Sequence, residues 1–106
     1  MSTINTLNAS QFESEVLNYN GVAVVKFVAP WCGPCKGLAP IIEEIAAAAD
    51  SSVHFFECDV DEDPSLASQL YVRSVPAVLF FKNGEEIDRL VGAYSQEVYE
   101  EKIASL

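Results

Sequence analysis

Two cysteines separated by two residues form the combination in this sequence that is most able to do chemistry. They lie in the run Trp31-Cys32-Gly33-Pro34-Cys35-Lys36, between a strand pattern and a helix pattern. Cysteines at this spacing can close a small disulfide ring with little backbone motion. At a helix N-terminus, unpaired N–H groups and the macrodipole favour thiolate over thiol, and the thiolate is the attacking species. The motif therefore predicts thiol–disulfide exchange.

A zinc site is the alternative interpretation of these cysteines. His54 and Cys58 complete an apparent Cys-x2-Cys…His-x3-Cys set. However, Cys32 follows the C-terminal end of its strand, whereas His54 begins the predicted parallel neighbour. Because strands advance about 3.3 Å per residue, His54 should lie roughly 12 Å or more from the sulfurs. We therefore favour redox chemistry, with His54 solvated and Cys58 a small buried hydrophobic residue; a regulatory thiol at Cys58 is the alternative.

The elements that position the motif alternate between strand and helix periodicity. The patterns predict a helix over 10–18 opened by the capping box Ser10-Gln11-Phe12-Glu13, a strand over 22–28, a helix over 35–49 kinked at Pro40, a strand over 53–60, a helix from N-cap Asp63 to Tyr71, strands over 77–82 and 86–91 around the turn Asn83-Gly84, and a helix from Ser95. With a strand before the first of these helices, we expect the order β-α-β-α-β-α-β-β-α. This order predicts an α/β fold with a mixed central sheet, in which parallel strands and a C-terminal antiparallel hairpin are flanked by helices on both faces.

Length and composition limit the remaining classes of protein. The 106 residues fit a single domain over 1–106, and half of them are apolar. Six Lys and Arg against sixteen Asp and Glu give a net charge of −10, which argues against nucleic acid or an anionic membrane as a partner. No secretory signal or transmembrane run is visible, and three cysteines cannot all pair within the chain. We expect a cytoplasmic protein with reduced thiols.

The chain resembles the thioredoxin family over essentially its whole length. The matching features are the Trp31–Lys36 motif, Val75-Pro76 before a strand, Phe81-Lys82-Asn83-Gly84, and Gly92. The resemblance implies a thioredoxin-like fold and a monomeric dithiol–disulfide oxidoreductase that reduces protein disulfides. It also implies recycling by a thioredoxin reductase that uses NADPH, and a role in electron transport and cell redox homeostasis. No bound cofactor is expected, because the redox group is the Cys32–Cys35 pair.

The resemblance also assigns a role to each site residue. Cys32 would attack the client disulfide, and Cys35 would be the buried resolving thiol, with Gly33 and Pro34 between them. Pro76 would be the family's cis-proline facing the motif. The shallow apolar groove for an extended client would be formed by Trp31, Val75, Pro76, Gly92 and Ala93.

Lys26 departs from the family pattern, because thioredoxins usually carry a buried Asp at this point of the central strand. Glu57 stands where many members carry Lys. An isolated buried ammonium is costly, so we expect Lys26 to pair with Glu57 or to become neutral. Glu57, or a water molecule between the two, would then accept the proton of Cys35, and a charged Lys26 would favour thiolates. Alternatively, Lys26 extends to solvent and Glu57 is a surface charge.

The motif also bears on two other functions. A family oxidase or isomerase is disfavoured because such proteins typically carry His at the position of Pro34. A non-catalytic interaction module is disfavoured because binding alone would not require both cysteines.

The carboxylates of Glu57, Asp59, Asp61, Glu62 and Asp63 do not match a calcium loop, since Pro64 and Leu70 replace its Gly and Glu. Some of them should lie near the motif and attract basic partners.

Overall fold

The fold follows the predicted alternation of strands and helices. A computed structural model describes residues 2–106. The strands are β1 Ile4–Thr6, β2 Val22–Val28, β3 His54–Asp59, β4 Ala77–Lys82 and β5 Glu85–Val91, and the α-helices are α1 Ala9–Phe12, α2 Gly33–Ala48, α3 Pro64–Gln69 and α4 Gln96–Ala104. None of the helices in this range is long and apolar enough to cross a membrane.

The five strands form one mixed sheet in the order β1-β3-β2-β4-β5. β3 pairs in parallel with both β1 and β2. β4 runs antiparallel to β2, and β5 runs antiparallel to β4. The predicted combination of parallel strands and a closing antiparallel hairpin is therefore confirmed.

Helices cover both faces of the sheet. Side chains alternate along each strand, so an apolar strand presents residues to both faces, and each face packs against helices. On one face, Val25 and Phe27 of β2 pack with residues of α1 and α3. On the other face, Val24 packs with Leu38 of α2 and Tyr99 of α4. The central strand is therefore buried on both sides, as its continuous apolar run predicts.

The turn between β4 and β5 requires a backbone that few residues adopt. Asn83 has φ 52° and Gly84 has φ 82°, the left-handed pair that an Asn-Gly hairpin turn uses. A Cβ on Gly84 would lie 2.2 Å from the backbone oxygen of Leu17. The turn therefore needs glycine both for its conformation and for close contact with the segment before β2.

The first helix begins earlier than the predicted capping box at Ser10 and Glu13. The N-cap is Asn8, whose side chain accepts from the backbone N–H of Gln11, while the Gln11 side chain accepts from the N–H of Asn8. The N–H of Ala9 also donates to Asp63 at 2.6 Å, which holds the helix start against α3. Ser10 thus lies inside the helix, and Glu13–Leu17 continue it as a π-helical segment.

The other helix starts lie close to their predicted positions. α2 begins at Gly33 rather than Cys35, because Cys32 itself is the N-cap residue, and the helix continues through Pro40. α3 begins at Pro64 after Asp63, and α4 follows the N-cap residue Ser95.

Candidate active site at the start of α2

The two motif cysteines are joined by a disulfide at the N-terminus of α2. Their Cα atoms are 5.3 Å apart. The backbone N–H of Cys35 donates to the Cys32 sulfur at 3.1 Å, so the sulfur takes the place of an N-cap oxygen. When the pair is reduced, the same N–H and the positive end of the helix would stabilise a Cys32 thiolate.

The disulfide is almost completely buried. Cys32 and Cys35 are 3% and 5% exposed and pack against Ala29. Trp31 beside them is 69% exposed, and its indole N–H donates to the Asp61 carboxylate at 3.0 Å. At least one carboxylate of the acidic cluster therefore lies at the motif, as the meeting of parallel strand ends predicts.

Pro76 and Gly92 lie side by side, and Val75, the residue before Pro76, packs against the cluster that contains the two cysteines. The Val75–Pro76 peptide bond is cis, as the resemblance implies. The N–H of Gly92 donates to the Pro76 carbonyl at 2.8 Å, which fixes the chain after β5 against the chain before β4. Pro76 is buried, whereas Ala93 is exposed.

An open groove runs beside Trp31 and includes residues that the sequence prediction did not contain. A cavity of about 360 Å³ is lined by Trp31, Val60, Val72, Arg73, Ser74 and Val75. Trp31 and Val75 were predicted to belong to a client groove; the other four were not. Their positions after β3 and before the cis peptide bond could have indicated them, because both segments end at the edge that carries the motif.

Lys26 and Glu57 form the expected ion pair. They are register partners on β2 and β3, and the Lys26 ammonium lies 3.0 Å from the Glu57 carboxylate. The Lys26 side chain is 2% exposed and that of Glu57 is 43% exposed. Lys26 therefore does not extend to solvent, and the alternative interpretation of this residue was wrong.

The ion pair opens onto the α2 face of the sheet. Lys26, Glu57, Ala39 and Glu43 help to line a cavity of about 400 Å³. Ala39 lies one helical turn after Cys35. The cavity is large enough for water molecules, and the charged pair shares it with this residue of α2.

His54 and Cys58 have different contacts, and neither set includes the motif cysteines. The His54 ring stacks on Tyr19 with centroids 3.9 Å apart. Cys58 is buried in the core on the α1 and α3 face, where burial and then the charges of Asp63 and Asp59 raise the pKa of its thiol to about 11. Within residues 2–106, no group of three or more His, Cys, Asp or Glu side chains is arranged to hold a metal ion.

Comparison with known proteins identifies the family. The thioredoxin family profile matches residues 3–105. A chloroplastic thioredoxin M-type of Pisum sativum is 37% identical over 97% of this chain, which spans 60% of that protein's length. Thioredoxin 1 of a Nostoc species is 40% identical over 88% of this chain and 87% of its own. The crystal structure of Malassezia sympodialis thioredoxin matches with a TM-score of 0.88 and 34% identity, covering 99% of this chain and 91% of that one.

The fold and the disulfide at a helix start define a thiol–disulfide oxidoreductase. The Cys-x-x-Cys pair supplies the redox group of that class of protein. The chain belongs to the thioredoxin family.

Proposed function

We propose that this protein reduces disulfides of client proteins in the cytoplasm, acting as a monomer with a single domain over residues 1–106. The observation that carries the proposal is the Cys32–Cys35 disulfide at the N-terminus of α2, beside an exposed Trp31. The helix N-terminus favours a nucleophilic thiolate at Cys32. The exposed Trp31 offers client polypeptides an apolar surface beside it.

The proposed reaction consists of two exchanges. The Cys32 thiolate attacks one sulfur of the client disulfide, forms a mixed disulfide and releases the first client thiolate. Cys35 then loses its proton and attacks the Cys32 sulfur, which closes the Cys32–Cys35 disulfide and releases the second client thiolate. Two electrons have passed to the client, and a thioredoxin reductase drawing on NADPH returns them to this protein.

Glu57 is the proposed acceptor of the Cys35 proton, through water in the cavity that both Glu57 and Lys26 line. Lys26 is a positioning residue, since its ammonium holds the carboxylate at 3.0 Å. Its buried positive charge also favours the thiolate form of the cysteine pair.

The client chain is proposed to lie across the apolar surface formed by Trp31, Val75, Pro76, Gly92 and Ala93. Gly33 and Pro34 keep the first turn of α2 free of bulky side chains above the disulfide. The reaction needs no bound cofactor, because the electrons reside in the disulfide itself. The net charge of −10 disfavours nucleic acids and anionic membranes as partners.

Trapping of mixed disulfides tests this function. In Cys35→Ser, Cys32 can still attack but nothing resolves the product, so client proteins from a cell extract should remain covalently attached. Cys32→Ser is the matched control and should trap far less. If neither variant traps clients that a reductant releases, the protein is a non-catalytic interaction module and the proposal is wrong.

A further inference from the structure

Tyr71 follows the C-terminus of α3 in a conformation that glycine normally supplies. Its φ is 59°, in the left-handed region. The N–H of Tyr71 donates to the Ser68 carbonyl and that of Val72 to the Ala67 carbonyl, the two bonds of a Schellman C-cap. A bulky residue is disfavoured at this position because its Cβ approaches the backbone. The chain therefore keeps an aromatic ring where folding alone would favour glycine.

The tyrosine ring contributes little to the core, because Tyr71 is 76% exposed. The backbone beneath it is fixed by hydrogen bonds from a side chain of β5. The Arg89 guanidinium donates to the carbonyls of Leu70 and Tyr71 at 3.0 and 3.4 Å, and is itself held by Glu86 at 2.6 and 2.7 Å. A strained exposed residue whose surroundings hold it in place indicates a functional role.

The ring of Tyr71 lies on a groove that continues from the active site. The cavity beside Trp31 adjoins a second cavity of about 460 Å³, and the two share Val60, Val72 and Arg73. The second cavity is lined also by Tyr71 and by Pro64 and Ala67. The groove thus leads from the residue next to Cys32, along apolar side chains, to the exposed ring.

Arg73 gives this groove a polar group that its neighbours do not neutralise. Among residues 2–106, the three ion pairs involve Lys26, Arg89 and Lys102, so Arg73 has no carboxylate partner there. Its guanidinium can donate to the backbone carbonyls of an extended chain.

We propose that Tyr71 is a specificity-determining residue for polypeptide clients and that the groove from Trp31 to Tyr71 takes an aromatic side chain near the client disulfide. The proposal rests on the proposed function, because the client arrives at Cys32. Continuity of the groove with the disulfide site selects a client segment as its occupant, and stacking between aromatic rings supplies the preference.

Steady-state reduction of two synthetic peptides tests the proposal. Both carry one intramolecular disulfide; one has Phe at the flanking positions and the other has Ser. Tyr71→Gly should raise KM for the Phe peptide about threefold to tenfold and leave kcat unchanged. KM for the Ser peptide should not change. Tyr71→Phe keeps the ring and should show the same KM for the Phe peptide as the parent protein.

Two controls separate ring loss from backbone effects. Tyr71→Asn removes the ring but tolerates the left-handed conformation, so it should behave as Tyr71→Gly does. Asn83→Gly changes the other non-glycine residue of 2–106 with positive φ, in the β4–β5 turn, and should leave both KM values unchanged. Thermal unfolding should show Tyr71→Gly to be at least as stable as the parent protein.

Equal KM values for the two peptides in every variant would overturn the proposal. An equal rise of KM for both peptides would also overturn it, since the ring would then not select aromatic clients. A small-molecule disulfide such as dithiobis(nitrobenzoate) is reduced without use of the groove. If the parent protein does not reduce that compound, the proposed function itself fails, which is a different outcome from loss of peptide selectivity.

Discussion

The most unusual residue of the molecule is Lys26, a charged side chain in the centre of a buried strand. Among the ion pairs of residues 2–106, Lys26 pairs with Glu57 alone, and the Glu57 side chain remains partly exposed to water. The two members of this pair therefore carry unequal desolvation costs. Loss of the glutamate leaves a buried charge without its partner, whereas loss of the lysine leaves a carboxylate that water can reach.

Glu57→Gln should lower the free energy of unfolding by about 1–3 kcal/mol, while Lys26→Met should cost less than about 1 kcal/mol. The double variant should return close to Lys26→Met, because the methionine removes the unpaired ammonium. Urea unfolding at neutral pH measures all three. In rapid-mixing measurements, Glu57→Gln should also change the pH profile of client release.

Either of two results would contradict this account of the pair. If Lys26→Met proves the more costly single change, the asymmetry of burial does not govern its stability. An unchanged pH profile in Glu57→Gln would remove Glu57 as the acceptor of the Cys35 proton.

Cys58 shows how burial can keep a thiol out of the reaction. Desolvation, with Asp63 and Asp59 nearby, raises the pKa of Cys58 to about 11, so the thiol stays protonated at neutral pH. Thiolate is the form that attacks disulfides. The protein can therefore carry a third cysteine without its competing for the client.

Two glycines in different elements should respond to substitution in opposite ways. Gly84→Ala should lower the free energy of unfolding by about 2 kcal/mol or more, since its φ is 82° and the new Cβ would meet the Leu17 carbonyl. Gly37→Ala should raise it by about 0.5–1 kcal/mol, because Gly37 lies inside α2 with open space around it. Urea unfolding of both variants checks the pair, and equal signs would contradict it.

The elements that the sequence predicts well are those whose signals are local. The apolar run of β2, the Asn83-Gly84 turn and Pro64 after Asp63 each specify their own conformation. The start of α1 does not, because Asn8-x-x-Gln11 and Ser10-x-x-Glu13 both fit a capping box. The start at Asn8 is stabilised by Asp63, which lies 54 positions from Ala9 along the chain and accepts a hydrogen bond from the Ala9 N–H.

In the candidate site, too, the features that the sequence predicts are those with local signals or an expected strand order. The helix-start disulfide follows from the motif, and the pairing of Lys26 with Glu57 follows from the expected order of strands. The sequence can place Val60, Val72 and Arg73 at the edge of the sheet that carries the motif. It does not show that they form one groove with Trp31, because three separate segments must meet before that groove exists. Tyr71 could not be predicted at a left-handed C-cap, since that position selects against its residue type.

For the molecule as a whole, the net charge of −10 should control which clients arrive quickly. A peptide disulfide with basic flanks should lose kcat/KM several-fold when salt rises from about 20 to about 300 mM, whereas one with acidic flanks should gain. Asp61, which is hydrogen-bonded to Trp31, should account for part of the slope, so Asp61→Asn should flatten it. Identical salt dependence for the two peptides would contradict this steering.

The order of the strands also has a consequence for behaviour in concentrated solution. A sheet of five strands has two outer strands, and unpaired strands are templates for aggregation. Here β1 has only three residues, and β5 carries Glu85, Glu86, Asp88 and Arg89 with a register shift in its pairing to β4. Shortness protects one edge and charge protects the other. We expect the protein to remain dispersed at concentrations where sheets with long apolar edges form fibrils.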